Sequence, residues 1–236
     1  MMSKSPLTTY TDITSNKSKG RGGKKIDKIF IHHMAGNLTV KQCGNVFKTR
    51  EASAHYGVNG KNIGCYVDES DTAWHCGSWS YNQRSIGIEL ANDQGASGKW
   101  HVADKTIDTA IKLIADICMR NGIKKVNYTG TTSGNLCMHS WVAATACPGP
   151  YLKTKFKYIA DEVNKLLSGG NETRTEVPFK VKVTIKDLYI RKGPGTSFQN
   201  KGFIKPGVYT IVEVKGDWGK LKSGAGWICL KYASKL

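Results

Sequence analysis

Residues 28–37 read KIFIHHMAGN. KIFIH (28–32) is a short apolar run with β-branched residues, the signal of a buried strand. It ends on two histidines, His32 and His33, just before Met34-Ala35-Gly36. A polar pair at the C-terminal end of a buried strand is well placed for a site at a sheet edge. The next segment, LTVKQCGNVFKTRE, spaces Thr39 and Gln42 as a capping box, which predicts a helix start. SAHYGVNGKNIGCYVDE (53–69) predicts two strands around an Asn-Gly turn. RSIGIEL (84–90) predicts another strand. DKTIDTAIKLIADICMRNG (104–122) puts Ile107, Ile111, Ile114 and Cys118 at helical spacing, with Gly122 as C-cap. PYLKTKFKYIADEVNKLL (150–167) predicts a second amphipathic helix. Strands alternating with helices point to an α/β fold with a mixed central β-sheet flanked by helices.

SGGNETRTEV (168–177) is small, polar and aperiodic, and Pro178 follows it, so it predicts a linker. It divides a domain over 1–167 from a smaller one over 178–236. In the second, short alternating runs separated by Gly, Pro and Asp predict a small all-β barrel.

Of the 236 residues, 39% are hydrophobic and 22% charged, the composition of a folded protein. No apolar run is long enough to span a membrane. The opening residues lack the apolar core of a signal peptide, so the expectation is synthesis in the cytoplasm. The formal net charge is +17, with both parts basic. A polyanion is the expected neighbour, either nucleic acid or an anionic bacterial wall. Seven scattered cysteines contain no Cys-x-x-Cys pair. They read as small buried hydrophobes rather than a disulfide framework.

Chemistry concentrates in a few residues. MHSWVAATACPGP (138–150) places His139 and Cys147 on one irregular stretch. Imidazole and thiolate are ligands of zinc, and a catalytic zinc keeps three protein ligands plus water. One histidine of the 32–33 pair with His139 and Cys147 would make such a set; ordinary packing would account for the same residues. Glu89 lies inside the otherwise apolar SIGIEL, where a carboxylate is costly unless hydrogen-bonded or functional. It is a candidate base for a bound water, or an ion-paired carboxylate at a strand end. Cys43, in the first turn of the predicted helix, offers a rival nucleophile: a helix N-terminus lowers a thiol pKa, as cysteine peptidases require.

Taken in order, IFIHHMAGN, SIGIEL and MHSWVAATACPGP resemble the zinc-dependent N-acetylmuramoyl-L-alanine amidases of type 2, the superfamily that includes the peptidoglycan recognition proteins. The resemblance covers roughly residues 8–167. It implies one Zn²⁺ held by His32, His139 and Cys147, with His33 turned away or behind them. It implies Glu89 as the catalytic acid–base and bacterial peptidoglycan as the substrate. Many relatives carry a lysine where this chain has Thr145, so Thr145 would assist catalysis without a charge. Where some relatives place a tyrosine, this chain has Ala54 followed by His55, which would take part of that role or serve as a structural histidine in a strand. Trp74 and His75, in TAWHCG, match a segment that lines the substrate groove; Trp79, Tyr81 and Asn92 are weaker groove candidates. Cys76 is left out, because a fourth protein ligand would close the catalytic position.

LYIRKGPGTSFQNKGFIKPGVYTIVEV, Asp217-Trp218 and GWICLKYAS are similar to bacterial SH3-like cell-wall-binding domains. That similarity implies wall contacts by Tyr189, Arg191, Trp218, Trp227 and Tyr232, or a barrel core built on the tryptophans. The combined expectation is a peptidoglycan hydrolase, a phage or prophage endolysin made in the host cytoplasm and acting on the wall after release. The alternatives are a wall-degrading cysteine peptidase using Cys43 and a non-catalytic peptidoglycan-binding protein. No nucleic-acid-binding motif accompanies the charge, and no membrane insertion is expected.

Overall fold

The histidine-bearing stretch is a strand inside a six-stranded sheet. A computed structural model of the chain describes residues 3–168, 177–196 and 198–236. The chain divides into two units, Met1–Ser168 and Gly169–Leu236. The linker expected over 168–177 lies outside the described residues, apart from Ser168 and Val177.

In chain order the first unit runs β1 (Tyr10–Thr11), β2 (Lys17–Ser18), β3 (Lys28–His33), α1 (Val40–Thr49), β4 (Tyr56–Asn59) and β5 (Asn62–Cys65). It continues with β6 (Thr72–Ala73), α2 (Trp79–Arg84), β7 (Ser85–Leu90), α3 (Asp104–Arg120), β8 (Leu136–Met138), α4 (Pro150–Lys153) and α5 (Phe156–Leu167). The main sheet has the order β1-β5-β4-β7-β3-β8. β4, β7, β3 and β8 are mutually parallel, and β5 returns antiparallel to β4. The predicted capping box is formed: Thr39 Oγ1 accepts from the Gln42 N–H, and Gln42 Oε1 accepts from the Thr39 N–H.

Strand alternation sorts the central strands into two faces. Ile29, Ile31, Ile86, Ile88, Leu90, Leu136 and Met138 enter one core with Ile107, Ile111 and Ile114 of α3 and Phe156, Ile159 and Val163 of α5. Phe30, His32, Gly87, Glu89 and Cys137 alternate with them, on the other side. The apolar face is closed by helices; the other face carries the chemistry.

The single helix expected over 150–167 is two helices. Thr154 and Lys155 donate N–H bonds three residues back, to Tyr151 and Leu152, and Thr154 Oγ1 also donates to the Tyr151 carbonyl at 2.7 Å. These tight bonds end α4 after one turn. Leu152 and Phe156, either side of the break, are both fully buried.

The second unit is the all-β part expected. Strands β9 (Phe179–Val183), β10 (Tyr189–Arg191), β11 (Asn200–Phe203), β12 (Gly207–Lys215), β13 (Trp218–Leu221), β14 (Trp227–Cys229) and β15 (Ala233–Lys235) form a seven-stranded sheet. Its order is β11-β10-β14-β13-β12-β9-β15, antiparallel throughout. Val181, Val183, Leu188, Ile211, Leu221 and Ile228 form its core.

A buried ion pair ties the N-terminal segment to this frame. Glu69, 2% exposed, takes a two-pronged contact from Arg120 on α3, at 2.6 and 2.7 Å. Tyr56 donates its hydroxyl to Glu69 and accepts the Ser5 N–H at 2.8 Å. Removing Arg120 leaves a buried carboxylate without its counter-charge. We predict that Arg120→Ala lowers the unfolding free energy at neutral pH by about 3 kcal/mol, read by urea denaturation.

Candidate metal centre and active site

Register brings the chemical residues to one end of the sheet. His32 pairs with Glu89 across β3 and β7, and Ile31 pairs with Met138 across β3 and β8. The residue after Met138 is His139, which opens a 3₁₀ turn over His139–Trp141. Three parallel strands therefore deliver Glu89, His32 and His139 to neighbouring positions at their C-terminal ends, the usual place for a site in such sheets. Cys147 returns on the loop after His139, where the Ser140 N–H donates to the Cys147 carbonyl at 3.1 Å. Gly149, at φ +84°, turns the backbone back toward α4.

His32, His139 and Cys147 each offer one ligand atom, and these atoms all lie within 4.8 Å of one another. Cys147 Sγ lies 3.5 Å from His32 Nδ1, and the His32 and His139 rings meet edge to face at 4.9 Å. Among the described residues this is the only such cluster. Burial holds the His32 imidazolium well below the usual range and pushes the Cys147 thiol up to about 12, with Glu89 adding to the rise. Burial also pushes the Glu89 carboxyl up to about 8, against the opposing influence of Arg50, and its Oε2 has no hydrogen-bond partner among the described residues. Two neutral imidazoles and a desolvated thiol with a gap between them fit a thiophilic dication such as zinc.

These groups line a cavity of about 420 Å³ together with Trp74, His75 and Thr145. Thr145 Oγ1 accepts the Cys147 N–H at 3.2 Å, so this exposed residue orders the ligand loop and keeps its hydroxyl proton to donate. Trp74 is held by its Nε1–H donating to Ser18 Oγ at 2.9 Å. His55 does not line the cavity. It is fully buried, with Nδ1 accepting the Gly87 N–H at 3.1 Å and Nε2 2.7 Å from Arg21 Nη2. His75, 7% exposed, touches the cavity but packs behind His32, 3.1 Å away. His33 lines the same cavity against Trp100, with a buried Nδ1 that has no hydrogen-bond partner among the described residues. His101 is paired with Asp93 at 2.6 Å, outside the cavity lining.

Sequence reasoning missed Arg50, Ser53 and Trp100 in this lining, and Arg21 beneath it. Its argument about Cys43 is reversed. The thiol is buried among Phe47, Ala54 and Tyr66, and burial raises its pKa rather than the helix lowering it.

The raised Glu89 carboxyl has a thermodynamic consequence. The folded, metal-free protein keeps this proton up to about pH 8, while the unfolded chain loses it near 4.5. Stability therefore falls as pH rises through that window, by at most roughly 1.4 kcal/mol per pH unit. In chelator, Glu89→Gln is expected to melt with the wild type at pH 4 and above it at pH 8.5, by differential scanning calorimetry.

A family model described as N-acetylmuramoyl-L-alanine amidase matches residues 22–150, more than half of the chain. The amidase CwlL of Bacillus licheniformis is 25% identical over 138 residues, covering 53% of the chain and 34% of CwlL. The chain thus spans about a third of the length of that curated relative. Among solved structures, AmiA of Staphylococcus aureus, described as a hydrolase, superposes with a TM-score of 0.54 at 19% identity, over 68% of this chain and 84% of that one. The catalytic domain of XlyA gives 0.51 at 20% identity, over 65% and 97%. At these identities the structures show a shared fold. The family match, however, runs from just before β3 through the ligand loop and takes in all three cluster residues and Glu89: the chain belongs to the N-acetylmuramoyl-L-alanine amidase family.

Proposed function

We propose that the first unit hydrolyses the amide bond between N-acetylmuramic acid and L-alanine in bacterial peptidoglycan, with one Zn²⁺ held by His32, His139 and Cys147. The observation that carries this reading is the His/His/Cys cluster beside an unpaired, desolvated Glu89 carboxylate in one open cavity. Zinc, when bound, acidifies a water and polarises a carbonyl. Glu89, ionised beside the bound cation, would take the water's proton and deliver it to the departing alanine amine; its carboxyl lies in the same cavity as the three candidate ligands. Thr145 donates its hydroxyl where relatives offer a lysine, and Trp74 forms one wall of the groove. His55 supports the wall from behind.

Two alternatives fare worse. A cysteine peptidase would need an accessible, acidic thiol at Cys43, which is 3% exposed. A non-catalytic binder would have no use for three ligands and an orphan carboxylate.

The second unit supports a wall-binding role, in the manner of an SH3-like module. Tyr189, Arg191, Trp218 and Tyr232 line one cavity of about 390 Å³, with Asp187 and Lys231 at its edge. Arg191 is held by donating to the Thr196 and Phe198 carbonyls at 2.8 and 2.9 Å, and its guanidinium lies over the Tyr189 ring. Exposed aromatics beside cations suit a glycopeptide bearing carboxylates. Trp227 is 6% exposed and outside that lining, with Lys215 and Lys220 over its ring, so its part is to support the sheet. A net charge of +17 suits an anionic wall. On this reading the protein is a phage or prophage endolysin, made in the host cytoplasm and acting on the wall after release.

Digestion of purified walls should release stem peptides with free L-alanine amino termini, seen by mass spectrometry and abolished by chelator. New reducing sugar ends instead would contradict the reading. Glu89→Gln should retain zinc while losing about 10²- to 10⁴-fold in rate. The double variant Tyr189→Ala/Tyr232→Ala changes two side chains 41% and 59% exposed. It should remain folded and sediment less with intact walls.

A further inference from the structure

His75 touches the cavity but is pressed edge to face on His32, with ring centroids 5.2 Å apart. We infer that His75 and Ser85 are positioning residues that fix the tautomer of His32 and aim its Nδ1 into the metal cluster. This rests on reading the cluster as a metal site, and is independent of which wall bond is cut.

Protons can be counted along a chain of four groups. It begins at the backbone carbonyl of Tyr81, which can only accept. Ser85 Oγ lies 2.6 Å from it and has a single hydrogen, which goes there. Ser85 Oγ must therefore accept in its other short contact, 2.8 Å from His75 Nε2, so His75 carries its proton on Nε2. A neutral imidazole has one N–H, so His75 Nδ1 is bare. Its neighbour at 3.1 Å is His32 Nε2, which must supply the hydrogen. The lone pair of His32 is thereby left on Nδ1, the atom 3.5 Å from Cys147 Sγ. A fixed carbonyl at one end thus sets the direction of every hydrogen bond up to the metal ligand. Outer partners of this kind orient ligating histidines and set their basicity.

The surroundings are shaped for this arrangement. Gly87 lies under the His75 ring, where a Cβ would come within 2.6 Å of Cγ, so a bare backbone makes the space. Asn82 Oδ1 accepts the N–H groups of His75 and Cys76, at 3.3 and 3.1 Å, and pins the segment. Phe30 packs on the ring from the strand that carries His32.

The test has two readouts. In ¹⁵N-resolved histidine spectra of the metal-free protein, His32 and His75 should both be Nε2–H tautomers. Zinc dissociation constants, measured by competition with a chelating dye, should rise about 10- to 100-fold in Ser85→Ala and His75→Leu. His75→Asn, whose Oδ1 falls near the position of Nδ1, should recover most of the loss. An Nδ1–H tautomer of His32 in the wild type would overturn the inference even if the variants fail to fold. So would a His75→Leu protein that binds zinc within about twofold of the wild type, against the loss expected of an outer partner. A wild type that binds no zinc, yet shows the expected tautomers, would instead remove the metal reading of the cluster.

Discussion

Two imidazoles, a thiol and a carboxyl line one cavity, and their shared burial is the constraint on which the site depends. Burial drives each group toward its neutral form: His32 down, Cys147 up to about 12 and Glu89 up to about 8. Left alone, such groups are a burden on folding. A cation reverses the balance, because it favours the thiolate and accepts the lone pairs of neutral histidines. The Glu89 carboxyl has no hydrogen-bond partner for Oε2 among the described residues. A site of this kind costs stability in the metal-free chain, and the surrounding frame has to be firm enough to bear it.

That frame is the set of parallel strands β7, β3 and β8. One face carries an unbroken apolar stripe against α3 and α5. The register that seats this stripe also fixes the other face, since a slip by one residue would exchange the two. Beneath the site lies one buried cation, Arg21, with Glu69, Asp71 and Asp68 as the acidic groups acting on it. Arg21 is buried and donates to the Gln83 and Ser85 carbonyls, both at 3.0 Å. Burial keeps His55 and His75 neutral, and the Arg21 charge presses in the same direction. Neutral imidazoles are what a metal ligand and its outer partner require.

Much of the fold was legible because its signals are local. The apolar run at β3, the Thr39/Gln42 box and the period of α3 each lie within one element, and each formed; the hairpin expected at Asn-Gly turns one residue later, on Gly60-Lys61, with Asn59 and Asn62 paired in the strands. The break between α4 and α5 was not legible, because it depends on Thr154 bonding back to Tyr151 rather than on apolar spacing. The clustering of His32, His139 and Cys147 with Glu89 could be expected because three short motifs carried them. The place of His75 could not, since it depends on Gly87 and on the pairing of β3 with β7. Arg21 lies in SKGRGGKK, a stretch that reads as a solvated basic loop. Cys43 shows a local rule losing to a tertiary one: its place near a helix start argues for an acidic thiol, and burial outweighs it. In the second unit, alternation alone could not say which tryptophan is buried; the sheet puts Trp227 inside and leaves Trp218 at the cavity.

The central claim is that His32, His139 and Cys147 together bind one metal ion. X-ray absorption on the zinc-loaded protein measures this most directly. The account predicts one zinc per chain, with one sulfur at about 2.3 Å and two imidazole nitrogens at about 2.0–2.1 Å. It also predicts that Cys147→Ala removes the sulfur shell. A zinc shell without sulfur, or one that Cys147→Ala leaves unchanged, would contradict it.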